Sequence, residues 1–133
     1  MSNLKTFVRK IPVINNIARS VLVYYKTFAG IIRLKRAVNK TTPLNIVIGA
    51  AGVIEDGWIP TDIEYLNLLN TDHCDKYFKK NSIEAILAEH VWEHFSQQDG
   101  LIAARNCYDY LKSGGYVRAA VPDGLHPDKD YIR

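Results

Sequence analysis

Leu44 to Gly52, read Leu-Asn-Ile-Val-Ile-Gly-Ala-Ala-Gly, constrains this chain more than any other stretch. An uncharged run rich in β-branched residues, closed by small residues, reads as a buried parallel strand running into a tight turn. Gly49 and Gly52 let the backbone bend sharply and lie close to a ligand. In open α/β sheets ligands sit beyond the carboxyl ends of the strands, so this turn is the expected floor of a binding site.

The charge distribution divides the chain just before that strand. Residues 1–43 carry nine Lys or Arg and no Asp or Glu, whereas residues 44–133 carry eight basic and fourteen acidic side chains, a net −6. In the basic arm Ile14, Ile17, Val21, Tyr24, Tyr25, Phe28, Ile31 and Ile32 recur at the period of one helix face. Pro12 suits the start of that helix, and Thr42-Pro43 ends the pattern. Arg19, Lys26, Arg33 and Arg36 interrupt the run too often for a membrane span of about 20 apolar residues. The preferred expectation is a helix packed on the sheet. A basic amphipathic helix on an anionic membrane surface is the alternative. Nucleic acid is not expected as a partner, because the rest of the chain is acidic and carries no nucleic-acid motif. Cys74 and Cys107 lack CxxC spacing and no secretory signal precedes them, which implies reduced thiols and a cytoplasmic location, with a membrane-peripheral placement through the arm left open.

Beyond the turn, Gly57 to Glu64 reads as a second strand with carboxylates at its end. Asp62 follows Gly49 by 13 residues, short of the roughly 20 of the dinucleotide fingerprint, and the three-glycine pattern is absent, which argues against NAD. Ser82 to Ala88 is a third apolar run, leading into Glu89-His90-Val91-Trp92-Glu93-His94. A helix is expected over Gln97–Leu111, with Leu101, Ile102, Cys107, Tyr108 and Leu111 on its apolar face and Lys112-Ser113-Gly114-Gly115 as its stop. Tyr116 to Val121 completes a fourth strand, and strands alternating with helices imply a parallel sheet.

From about residue 44 to residue 126 these signals, in this order, resemble the class I S-adenosylmethionine-dependent methyltransferases, in particular the type 11 methyltransferase domains. Gly49-Ala50-Ala51-Gly52 stands where that family has its glycine-rich cofactor loop, and Asp62 where its ribose-binding carboxylate stands. The stretch from Asp72 to Glu84 is similar to the family's D-A-E-D-L-P-F-x-D-N-S-F-D, which puts Asp72 near the adenine amine. Ala88 to His94 matches the loop after the fourth family strand, adding Glu89 to the cofactor contacts, and Leu111 to Tyr116 resembles L-K-P-G-G-x. Ala51 replaces a usual glycine, and Val47 stands where many members are acidic.

The resemblance implies an incomplete Rossmann-like α/β fold, a mostly parallel sheet with flanking helices, in which residues 44–133 form the amino-terminal part of the methyltransferase domain and residues 1–43 a basic amphipathic helical arm. It implies S-adenosylmethionine as cofactor; the sequence does not name the methyl acceptor, for which a small-molecule or glycan-type compound is the expectation. The methyl group is already activated by the sulfonium, so the protein mainly aligns a nucleophile, and His90 is the candidate general base. Two other readings are carried forward. One is a degenerate, non-catalytic domain acting as a membrane or protein adaptor. The other is a zinc hydrolase, because His90-Val91-Trp92-Glu93-His94 satisfies H-x-x-E-H. The zinc reading places both histidines on one helix face and needs a third ligand among Asp99, Asp109, Asp123, His126, Asp128 and Asp130. The methyltransferase reading involves no metal, and sets His90 facing the cleft with His94 serving packing.

Overall fold

The computed structural model describes residues 12–52 and 56–127. It opens on a long helix, α1 (Pro12–Val38), followed by β1 (Asn45–Val47), β2 (Ile59–Pro60), a short helix α2 (Thr71–Asp75), β3 (Ile83–Glu89), a 3-10 turn at Trp92–His94, α3 (Gln97–Tyr110) and β4 (Leu111–Ala120). The four strands form one all-parallel sheet in the order β2-β1-β3-β4. This is the incomplete Rossmann-like α/β arrangement expected from the sequence. Because β2 lies on one side of β1 and β3 on the other, the chain reverses direction across the sheet at β1. Such a switch point opens a crevice at the carboxyl ends of the strands.

β3 is the centre of the sheet. Consecutive residues Ala85 and Ile86 are both buried, so both faces of the strand are covered, as parallel strands require. Ile46 of β1 pairs with Ile86 on one side and Ile59 on the other, and all three are core residues. On one face α3 closes this core with Ala103, Asn106, Cys107 and Tyr110, at i, i+3, i+4 and i+7. The expected face is therefore rotated. Cys107 is on it, but Leu101, Ile102 and Tyr108 point to solvent. Two polar groups explain the rotation: the Asn106 amide donates to Leu68 O at 2.6 Å, and Tyr110 bonds Asp75. Ser96 starts α3 as its N-cap, its Oγ accepting from the Asp99 N–H at 3.1 Å and donating to Asp99 Oδ2 at 2.7 Å.

The glycines at 114 and 115 do not stop this helix. It ends at Tyr110, and β4 begins at once with Leu111 opposite Ile83. The ladder then skips to Tyr116 opposite Ala85, so residues 112–115 bulge out of the sheet.

α1 departs from the packed-helix expectation over most of its length. Leu34 is fully buried and Ile31, Ala37 and Val38 pack against the core, whereas Ile17, Val21, Tyr24, Tyr25 and Phe28 are exposed. The side chain of Ile14 lies outside the described residues. Length is the reason. A helix of 27 residues extends about 40 Å, while β1 and β2 have three and two residues, spanning about 10 Å at most. Only the last turns of α1 have a sheet beneath them, and Leu34 anchors them with about 2 kcal/mol of burial.

Candidate active site

Beyond the strand assigned as β1 the ladder continues for several residues. Ile48 N–H donates to Leu87 O, Ala50 N–H to Thr61 O, and both the N–H and Oγ1 of Thr61 to Val47 O, all within 2.9 Å. This fully buried threonine ties the glycine turn to the end of β2. The turn itself uses left-handed backbone at Gly49, Ala51 and Gly52, with φ of 66°, 48° and 88°. A Cβ at Gly49 would meet Val91 at 3.0 Å, so the approach of the loop after β3 also requires a glycine there.

A cleft of about 240 Å³ opens where the ends of β1, β2 and β3 converge. Gly49 lines it after β1, Asp62 after β2 and His90 after β3, with Asn67, His94, Phe95 and an apolar wall that includes Ile48 and Leu66. A larger hollow of about 630 Å³ lies by Lys80, Asp109 and the 112–115 bulge, at the amino-terminal end of the strands. Another, of about 570 Å³, lies along α1. Neither gathers residues from the strand ends, where sheets of this kind bind ligands.

Asp62 is half-buried, and burial pushes its carboxyl pKa up. A bond from the Ala51 N–H, at 3.4 Å, pulls it the other way, and Glu64 adds a smaller upward push. His90 has φ of 55°, and its N–H donates to Ala120 O at 2.9 Å. Its Nδ1 lies 3.1 Å from Glu93 Oε1. An ionised carboxylate only accepts, so Nδ1 carries the proton, and in the neutral ring Nε2 is left as the acceptor.

The expected site residues divide into two groups. Gly49, Asp62 and His90 meet in the cleft. Ala50 is buried beneath the turn, and Ala51 and Gly52 form its exposed rim. Glu89 lies on the β4 side, 3.5 Å from Arg118 Nη2, and is not among the cleft-lining residues. Asp72 is likewise outside the lining: it sits exposed in the first turn of α2, its N–H held by the Asn70 side chain at 3.0 Å. The position nearer the crevice is Asn67, whose Oδ1 accepts from the Leu69 N–H at 2.9 Å. Family resemblance points to Asp72 in this stretch, whereas the cleft lining takes Asn67, at the start of the Asn67-Leu68-Leu69 turn.

His94 corrects a second expectation. It is exposed and lines the cleft rather than serving packing. The H-x-x-E-H residues span a left-handed residue and a 3-10 turn, not an α-helix, so the helical i, i+4 alignment of a zinc motif is missing. Among the described residues no three His, Cys, Asp or Glu side chains form a group able to hold a metal ion. Asp128 and Asp130 lie outside the described residues.

A family model described as a methyltransferase domain matches residues 50–119, just over half of the chain, from within the glycine turn to the next-to-last residue of β4. The chain belongs to the type 11 methyltransferase-domain family, a class I S-adenosylmethionine-dependent group. Neither the comparison with curated proteins nor that with solved structures gives a match. The matched segment of this methyltransferase domain contains every cleft-lining residue except Ile48 and Gly49. Members of the family generally use S-adenosylmethionine. The residues of the cleft suit it: a half-buried carboxylate for ribose hydroxyls, a backbone turn without Cβ atoms at its closest approach, and an apolar flank. No described helix is long and apolar enough to cross a membrane.

Proposed function

We propose that the chain binds S-adenosylmethionine in the cleft at the strand ends and serves methyl transfer to a small-molecule or glycan-type acceptor. The observation carrying this reading is the convergence of Gly49, Asp62 and His90 from three successive strand ends on one cleft within a methyltransferase domain. Asp62 would accept from the ribose hydroxyls, Asn67 would bond the adenine edge in place of Asp72, and the backbone at Gly49 would lie against the cofactor. When bound, the cofactor supplies a methyl group already activated by its sulfonium. The cleft is slightly smaller than the usual ligand pocket of about 300–1,000 Å³, so a ligand of this size sits partly outside it.

His90 acts on the acceptor side of this proposal. With Glu93 holding Nδ1–H, Nε2 is presented to take the proton of an acceptor hydroxyl or amine. Glu93 thus fixes the tautomer and the ring direction.

Calorimetry of the full chain with S-adenosylmethionine and with its demethylated product tests the reading. Binding is expected, with a loss of roughly 1–3 kcal/mol in Asp62→Ala as the charged acceptor is removed. No binding heat with either compound, or unchanged affinity in a folded Asp62→Ala chain, would overturn it. Tight zinc binding in the control titration would favour the hydrolase alternative, and absence of any cofactor heat the adaptor alternative.

A further inference from the structure

We propose that the amino-terminal half of α1 is a peripheral anchor that seats this domain on an anionic lipid surface. With 3.6 residues per turn, Ile17, Val21, Tyr24 and Phe28 align in one stripe, and they are 59, 62, 74 and 54% exposed. Isolated exposed apolar residues are ordinary, but a continuous stripe of large ones on one helix marks a contact surface. The last turns of α1 hold to the domain through Gly30, Leu34 and Ala37, more than a right angle away from the stripe, and through Ile31 and Val38, which lie nearer to its side. Ile17, Val21, Tyr24 and Phe28 take no part in that packing and stay exposed, so the stripe is left for a further contact.

Charge identifies the occupant. Arg19, Lys26 and Arg33 fall at seven-residue steps on the side opposite the stripe, which is the composition of a helix lying in the plane of a bilayer interface. Tyr24 suits the interface, where one end of a ring is wet and the other apolar. Residues 1–43 carry nine cations and no carboxylate, while the remainder is net −6. An anionic surface attracts the arm and repels the body, which orients the domain as well as binding it. A second copy of α1 would bring like charges together without a carboxylate to offset them. A nucleic acid would take the cationic side and leave the apolar stripe in water. Anchoring would also place the cleft near the lipid surface, because Gly30 of α1 packs on Tyr65, three residues from Asp62.

The test is co-sedimentation of the full chain with vesicles of 30% phosphatidylserine in phosphatidylcholine, against pure phosphatidylcholine, at low and high salt. Pelleting is expected with the anionic vesicles, falling as salt shortens the screening length below about 10 Å. With each surface cation contributing about 1 kcal/mol, Arg19→Glu with Lys26→Glu is expected to lower partitioning by about tenfold or more. Tyr24→Ser with Phe28→Ser tests the stripe and is expected to do the same. All four side chains are exposed, and circular dichroism checks that each variant retains its helix. Equal pelleting with neutral vesicles, no pelleting at all, or wild-type pelleting by a folded charge-reversed chain would overturn the proposal. So would a concentration-dependent dimer, lost in Phe28→Ser, in a chain that ignores lipid, since the second copy would then be the occupant. Binding to a DNA duplex without binding to lipid would overturn it equally.

Discussion

The ring of Tyr65 lies on the bare Cα of Gly30, so that a Cβ built on this glycine would come within 2.6 Å of Tyr65 Cε1 and 2.8 Å of Cζ. Here the long helix meets the segment that follows β2, and the closeness depends on a glycine in a helix interior. Tyr65 is half-buried, with its hydroxyl 3.4 Å from Pro60 O, so its ring cannot swing away freely.

Gly30→Ala sets two effects against each other. Alanine is better than glycine in a helix by about 1 kcal/mol, but overpacking typically costs about 1–3 kcal/mol. Stability in urea is expected to fall by about 1 kcal/mol. In a Tyr65→Ala background the obstruction is gone, and the same substitution should become stabilising.

Asp62 is expected to trade stability for binding. Its folded-state pKa is raised, chiefly by burial, so its contribution to stability is greatest below the unfolded pKa and is lost as pH rises through the folded value. At neutral pH the ionised group is a burden, and Asp62→Asn should unfold no more easily than the wild type, or less so. Cofactor affinity should drop by about 1 kcal/mol, the difference between a charged and a neutral acceptor. Wild-type affinity should also weaken on acidification at a higher pH than an ordinary aspartate would give, and the Asn variant should show no such step. Calorimetry across pH reads both.

Asn106 supports the cleft from beneath. Its amide donates to Leu68 O, and its Oδ1 lies 3.2 Å from the Thr71 hydroxyl, so it fastens both ends of the turn that follows Asn67. Asn106→Leu leaves the Leu68 carbonyl without that donor and should cost roughly 1–3 kcal/mol in urea unfolding. Weaker cofactor binding in the variant that remains folded would follow from a loosened Asn67.

Ala51 and His90 both hold left-handed backbone, which costs an L-residue about 1–2 kcal/mol. Glycine relieves that strain and loses about 0.5–1 kcal/mol in chain entropy. Ala51→Gly should therefore raise the unfolding free energy by up to about 1 kcal/mol while leaving cofactor binding intact. His90→Gly should show a similar gain in urea unfolding while removing the bond from the ring to Glu93.

The two cysteines should be chemically silent in the native chain. Burial pushes the Cys74 thiol up to about 11 and the Cys107 thiol up to about 12. At pH 8 a thiol reagent should leave both unmodified, and denaturation in guanidinium should release two reactive groups.

Much of this architecture was legible from residue order. The runs around Ile46 and Ile86 are apolar on both faces, which only a central parallel strand requires, and the helix expected over Gln97–Leu111 is α3, one residue shorter. The face of α3 was not legible, because ranking by hydrophobicity favours Leu101 and Ile102, while Asn106 and Tyr110 are drawn inward by hydrogen bonds to distant residues. For α1 the period identifies an apolar stripe but carries no information on how far the sheet beneath it extends. In the cleft, Gly49, Asp62 and His90 could be placed because each follows a strand directly. Asn67 follows no strand, so its position depends on a turn whose geometry local spacing does not encode.

The unequal margins of the sheet set the direction in which it can be extended. At one side stands β2, two residues long, half of it a proline without an N–H, and bordered by α1. At the other stands β4, ten residues long and largely exposed, with no further strand beside it among the described residues. Its outer row of amides and carbonyls is a template for another backbone. Among the described residues the longer open margin is that of β4, so a strand joining there would lie across β3 from the glycine turn.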